Sequence, residues 1–241
     1  MEHKLTDTNI LFLDIETVPQ KQDFNELDSA EKALWLKKAK SINRDDLPDS
    51  EFYKRAGIYA EFGKIICISI ARIVREYGSA YIAVESFSSH NERRLLKDFC
   101  AFLSEISRPN LRLCAHNGKE FDFPYIARRC LIRGLALPEI LNTQGKKPWE
   151  VQHLDTMEMW KFGDWKAYTS LDLLAHVFDL RNPKAEISGS DVCDLYWKEN
   201  DLDRIVRYCE GDVLSLLQVY LRMTGAETIA FNESNQYEGA A

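Results

Sequence analysis

The stretch LFLDIETVP, residues 11–19, follows Ile10 and governs how the rest of the chain is read. Ile10–Leu13 is apolar and runs straight into Asp14, with Glu16 two residues further on. In a strand, residues i and i+2 share a face and stand roughly 6.6 Å apart. Asp14 and Glu16 therefore project together, and two neighbouring carboxylates repel. A strand end that reaches solvent tolerates such a pair. So does a site for a hard divalent cation, whose charge removes the repulsion and compensates the desolvation. The second reading requires further carboxylates to converge from elsewhere.

The chain has 241 residues, 45% of them hydrophobic, enough to bury one substantial core, so one elaborated domain over residues 1–225 is expected rather than two. Its 31 basic and 38 acidic residues leave a net charge of -7, which argues against a broad electrostatic grip on nucleic acid or on an anionic membrane. A phosphate-bearing partner must then be held locally, by a few cations or by metal ions. The six cysteines (Cys67, Cys100, Cys114, Cys130, Cys193 and Cys209) show no zinc spacing and read as reduced, mostly buried thiols. The N-terminus lacks the pattern of a signal peptide, and no apolar run has the length of a membrane span, so a soluble cytoplasmic protein is expected.

Strand-like runs occupy residues 10–15, 64–74, 80–87 and 111–115, and helical periodicity appears in 91–106, 123–133, 168–179 and 202–223. A sheet flanked by helices is the economical arrangement. Residues 20–60, with the helical composition of SAEKALWLKKAK, read as a charged surface insertion without a catalytic role. Residues 226–241 have little to pack and read as a frayed tail.

Two later segments carry candidate chemistry. In CAHNGKEFDFPYIARR, residues 114–129, a strand leads into the turn signature His116-Asn117-Gly118 and then to Asp122 and Pro124 at a helix entrance. Asp122 is there either a helix cap or a metal ligand. In RYCEGDV, residues 207–213, Tyr208 and Asp212 lie at i and i+4 on one helical face. Tyr208 taken alone reads as core packing.

Taken in order, D-x-E after an apolar strand, N-x-x-x-F-D at a strand-to-helix junction and Y-x-x-x-D on a late helix resemble the three exonuclease motifs of the DEDD superfamily. LFLDIETVP and FDFPYIARR are most similar to the first two motifs of the proofreading exonuclease domain of B-family DNA polymerases. The resemblance runs from residue 10 to about residue 223. Arg207 stands where the histidine branch places its histidine, so the tyrosine branch is implied.

The resemblance implies an α/β, RNase H-like fold with a mixed five-stranded sheet. It further implies a stand-alone, metal-dependent 3′-to-5′ exonuclease on single-stranded DNA ends, with RNA as the other substrate. Asp14, Glu16, Asp122 and Asp212 match the metal-site positions, and Tyr208 matches the position that orients the attacking water. Two Mg²⁺ or Mn²⁺ ions, placed about 3.5–4 Å apart in such sites, suit an oxygen-only donor set. Thr17 and Val18 match positions of main-chain contact to the terminal nucleotide.

Asn117 and Phe123 are the remaining substrate candidates. Phe123 is open between base stacking and core, while Phe121 reads as core. Lys166, Arg128 and Arg129 are candidate phosphate contacts. Asp155 reads as structural support, and His116 and His153 as packed or hydrogen-bonding residues. A polymerase or repair partner belongs to the same expectation. The competing reading is a catalytically silent RNase H-like module that binds nucleic acid or protein; the complete set of carboxylates weighs against it.

Overall fold

The computed structural model describes residues 9–76, 79–164, 166, 168–180 and 187–229. Five strands form one mixed sheet in the order β3-β2-β1-β4-β5. They are β1 (Ile10–Pro19), β2 (Gly63–Glu76), β3 (Ser79–Ser88), β4 (Arg112–Ala115) and β5 (Leu154–Asp155). β1, β2 and β3 pair antiparallel, whereas β4 lies parallel to β1, and β5 parallel to β4.

The pairing of β1 is unequal on its two edges. Its β2 edge is paired from Phe12 to Pro19, but its β4 edge only from Ile10 to Phe12. The strand therefore continues past the expected end at residue 15. Asp14 and Glu16 sit inside a ladder rather than at its end, because β2 supplies partners as far as Gly63. An extra residue, Ile66, bulges from β2 where the register shifts between Glu16 and Thr17. Bulges of this kind re-aim side chains and recur beside functional sites.

Alternation along β1 assigns the two faces of the sheet. Leu11, Leu13 and Ile15 enter a core with Leu95, Leu96 and Phe99 of α3 (Glu92–Glu105) and Ile126 of α4 (Asp122–Ile132). Ile10 and Phe12 face the other way, onto Val213, Leu216, Leu217 and Tyr220 of α8 (Leu202–Met223). Phe12 meets Tyr220 edge to face at 5.2 Å between ring centroids. Further along both elements, Val18 and Ile66 pack with Ile205. α8 thus runs alongside β1 in the opposite sense, and Asp14 and Glu16 lie on the face that it covers. The other helices are α1 (Ser29–Ile42), α2 (Asp49–Phe52), α5 (Thr156–Lys161), α6 (Leu171–Val177) and α7 (Val192–Asp194). Ser170 caps α6, so the expected helix over 168–179 is confined to its centre.

Three sequence expectations are corrected. The 20–60 insertion is not only a charged surface. Trp35 and Ala39, one turn apart on α1, are buried with Phe52, Tyr53 and Ala56 in a cluster of their own. Gly57 lies against the Val18 backbone so closely that a β-carbon there would stand 3.0 Å from the Val18 carbonyl carbon. The charges of SAEKALWLKKAK occupy the outer side of a helix whose inner side is aromatic. The tail is held at its start, where Ile229 exchanges backbone hydrogen bonds with the Gln218 amide; residues 230–241 lie outside the described residues.

Arg129, a candidate phosphate contact, is fully buried instead. Its Nε and Nη2 donate to Glu92 at 2.8 and 2.6 Å, and its Nη1 donates to the Ala60 carbonyl at 2.7 Å. Burial alone would raise the Glu92 carboxyl, but the Arg129 guanidinium overrides it and holds that carboxyl below its ordinary range. Arg128, one residue earlier on α4, is exposed. Arg129→Ala would leave the buried Glu92 with the partly exposed Arg133 as its remaining ion-pair partner. A loss of about 3 kcal/mol is expected, the lower end for a broken buried pair, read as a reduced urea midpoint at unchanged slope.

Candidate active site

The site assembles where β1 outruns β4. Beyond Phe12 the β4 edge of β1 has no strand partner, and the Ile15 N–H donates to the Asp122 carboxylate. Asp122 is the first residue of α4, not its cap; that position is Phe121, whose side chain makes no capping hydrogen bond. The Asp122 carboxylate also accepts from its own backbone N–H. A helix entrance therefore delivers a third carboxylate to the strand that carries Asp14 and Glu16.

α8 delivers the fourth. One helical turn sets Tyr208 and Asp212 on the same side, and the Tyr208 hydroxyl donates to the Asp212 carboxylate. Asp122 and Asp212 both act electrostatically on Asp14 and on Glu16, so the four acids predicted from three distant segments face one locus. Desolvation raises Asp14 and Glu16 well above the ordinary carboxylate range, and the neighbouring acids add to the rise. Burial likewise pushes Asp122 up to about 7 and Asp212 up to about 6. Buried like charges with these shifts are what a hard cation relieves. The oxygen donors fit Mg²⁺ or Mn²⁺, with Asp14, Glu16, Asp122 and Asp212 as the residues that would hold it.

Cys209, which the sequence reading passed over, belongs to the same cluster. Its Sγ lies 3.4 Å from Asp14 Oδ2, and one donor atom each from Asp14, Glu16 and Cys209 fall within 4.8 Å of one another. Burial raises the thiol, and Cys209 donates a hydrogen bond to Asp14. Its only signal in the sequence is adjacency to Tyr208.

Asp155 serves the turn that precedes α4. Its Oδ1 accepts from the N–H groups of Asn117 (2.9 Å), Met157 (2.9 Å) and Glu158 (3.3 Å), and its Oδ2 from Lys119 (3.1 Å). Both oxygens are thus committed to backbone, in keeping with structural support. Asn117 takes a left-handed conformation (φ 62°) in this turn. Gly118 beside it has no room for a side chain, because a β-carbon would stand 2.3 Å from that of Ala115. His116 Nε2 donates to the Thr169 carbonyl, which leaves Nδ1 to accept from the Thr156 hydroxyl, both at 2.8 Å. Burial lowers its pKa and favours that neutral form. His153 packs edge to face on Phe123 and bridges Leu113 N–H to the Ile140 carbonyl.

The substrate candidates fare unevenly. Phe123 is only 4% exposed and lies in the α3–α4 core, so it offers no ring face to a base. The Val18 side chain is equally buried, against Ile205. Thr17 points to the opposite side of β1 from the carboxylates and hydrogen-bonds Tyr125; the contact expected of Thr17 and Val18 is through the main chain, on which these side-chain positions do not bear. Periodicity could not separate these roles, since a stacking ring and a core ring have the same pattern.

The fold is RNase H-like, a mixed five-stranded sheet flanked by helices. The chain is similar to the family B DNA polymerase from the hyperthermophilic archaeon Pyrobaculum calidifontis, with a TM-score of 0.53 and 19% identity over 88% of this chain. It spans 24% of that polymerase. Residues 58–238 match the family described as "Predicted 3'-5' exonuclease related to the exonuclease domain of PolB", and the chain belongs to that family. The matched segment contains Asp122, Tyr208 and Asp212, while Asp14 and Glu16 precede it. No curated protein matches the chain. No helix among the described residues is long and apolar enough to cross a membrane.

The raised carboxyls predict a pH effect on stability. In the folded protein they retain protons that the unfolded chain, with carboxyls near 4, has already released. Their stabilising contribution is complete below about pH 4 and is lost as pH rises through the folded values, about 6 for Asp212 and about 7 for Asp122. His116 and His153, whose pKa values are lowered, affect stability only below about pH 6.5. Calorimetry between pH 6.5 and 8 should therefore show Tm falling in chelator, with the fall suppressed by Mn²⁺. An equal pH slope with and without Mn²⁺ would contradict a cation site at these carboxylates.

Proposed function

We propose that the protein is a metal-dependent 3′-to-5′ exonuclease that releases nucleoside monophosphates from single-stranded DNA ends, with RNA as the other substrate. The observation that carries this reading is the convergence of Asp14, Glu16, Asp122 and Asp212 on one locus, with the Tyr208 hydroxyl bonded to Asp212. Two divalent cations held by these carboxylates would supply charge neutralisation at the scissile phosphate and activation of water. Cys209, hydrogen-bonded to Asp14, and the Ile15 N–H, bonded to Asp122, fix the two carboxylates from behind, so that little reorganisation accompanies the reaction.

Tyr208 acts by position. Its phenol is raised well above its ordinary pKa, first by burial and then by Asp212 and Glu16, so it stays protonated at any working pH. It is suited to orient a water through its hydroxyl and not to remove the proton. The water oxygen attacks phosphorus, the bond from phosphorus to the 3′ oxygen breaks, and that oxygen leaves as a hydroxyl on the shortened strand.

A single-stranded substrate is supported by exposed aromatic groups along the segment that leads from Asp155 to the site. Phe162 is 90% exposed, and Tyr168 is 69% exposed with the Lys161 ammonium 4.8 Å from its ring centre. Aromatic faces interleaved with lysines suit stacked bases and their phosphates. The segment is tied to the site where His116 bonds Thr169 and where Asp172 acts on Asp212. These groups offer an acidic protein the local hold on a polyanion that its net charge withholds.

The test is incubation with end-labelled single-stranded and duplex DNA and matched RNA, in Mg²⁺, Mn²⁺ and chelator. A stepwise ladder from the 3′ end that chelator abolishes is expected. Asp14→Ala or Asp212→Ala should reduce the rate at least 10²-fold without loss of folding, in line with removing a ligand from a charge-stabilising cluster. Tyr208→Phe should keep Mn²⁺ binding and slow single turnover by about 10–10²-fold. An unchanged single-turnover rate in Tyr208→Phe would reduce the tyrosine to core packing, and full activity in Asp14→Ala would remove the cation site.

A further inference from the structure

We infer that Cys100 and Cys130 form a hydroperoxide-oxidisable dithiol, a modification site on the side of the sheet away from the carboxylates. Cys100 lies on α3 and Cys130 on α4, and their sulfurs stand 3.5 Å apart. A disulfide needs about 2 Å, so the two side chains have only to close a small gap.

Cys100 also has an approach from solvent. A surface cavity of about 330 Å³ is lined by Lys97, Cys100, Ala101 and Ser104 on one face of α3, and opposite them by residues 135–138. That opposite wall exists because α4 ends at the left-handed Gly134 and the chain turns back, with the Leu135 N–H bonded to the Cys130 carbonyl. The cavity therefore opens onto Cys100, with the fully buried Cys130 behind it. This is the order of an attacking thiol and a resolving thiol.

The chemistry of the pair agrees. The two sulfurs are in hydrogen-bond contact, so a thiolate formed on Cys100, the thiol that lines the cavity, accepts the Cys130 S–H. Lys97, one turn before Cys100 and in the same cavity, adds a cation on the approach side. In the first step the Cys100 thiolate attacks one oxygen of a hydroperoxide. The O–O bond breaks, an alcohol or water leaves with a proton, and Cys100 becomes a sulfenic acid. In the second step the Cys130 sulfur displaces hydroxide from Cys100, its proton leaving with the hydroxide as water. Two electrons pass from the thiols to the peroxide and one sulfur–sulfur bond forms.

The other cysteines provide internal controls. Cys67 and Cys209 also interact with each other, but both are buried at the carboxylate cluster, and Cys193 is partly exposed without a sulfur neighbour among the described residues. The experiment treats the folded, reduced protein with hydrogen peroxide and maps its peptides by mass spectrometry. The expected product is a crosslink between the Cys100 and Cys130 peptides, lighter by two hydrogens and restored by dithiothreitol. Cys130→Ser should instead leave a sulfenic acid at Cys100 that dimedone labels several-fold more than in the parent, and Cys100→Ser should show neither product. Oxidation confined to Cys193, or a crosslink of Cys67 to Cys209 with Cys100 still reduced, would overturn the assignment. The parent measurement decides the matter even if a variant fails to fold.

Discussion

The constraint on which the structure depends is the confinement of like charges inside a ladder. Asp14 and Glu16 occupy a strand in which Leu13 and Ile15 beside them are buried, and α8 covers the face from which they project. Such a pair raises its own pKa values by desolvation and by mutual repulsion, which costs folding free energy at neutral pH unless a counter-charge arrives. The fold carries this cost through rigidity elsewhere. The two apolar faces of β1 are packed against separate helical layers, and Phe12 and Tyr220 lock the strand to α8 a few residues from the acids.

The same economy explains why the site lies where it does. A short β4 leaves part of one β1 edge without a strand, and the freed Ile15 N–H becomes the anchor for Asp122. One missing stretch of ladder thereby provides a donor and orients a third carboxylate. Asp155 performs the matching task one layer further out, since two of its backbone hydrogen bonds hold the turn that aims α4 at the strand while the other two cap α5.

The α3–α4 side is organised by a different charge. Glu92 accepts from the Ile65 N–H of β2 and from the buried Arg129, which in turn reaches the Ala60 carbonyl at the end of the insertion. Sheet, helical layer and insertion are thus tied at one buried ion pair. A guanidinium suits this junction because its planar fork donates in several directions at once. The insertion is consequently integrated with the domain, and its Gly57 contact reaches the same strand that bears the acids.

What the sequence determined by itself was local and periodic. The alternation in ILFLDIETVP places two carboxylates on one face, Tyr208-x-x-x-Asp212 places a phenol and an acid on one helical side, and 202–223 has the period of the helix observed over those same residues. These follow from spacings of two and of about 3.6 residues, which need no knowledge of neighbours. What only the tertiary structure decided were the roles that depend on which surface a side chain meets. Phe123 and Arg129 are core, not contacts for a strand of nucleic acid; Cys209 joins the acids; and Cys100 finds Cys130 across two helices. A buried ring and a stacking ring, or a paired guanidinium and a free one, are identical in a one-dimensional pattern. Burial and partner are set by segments that meet only when the chain folds.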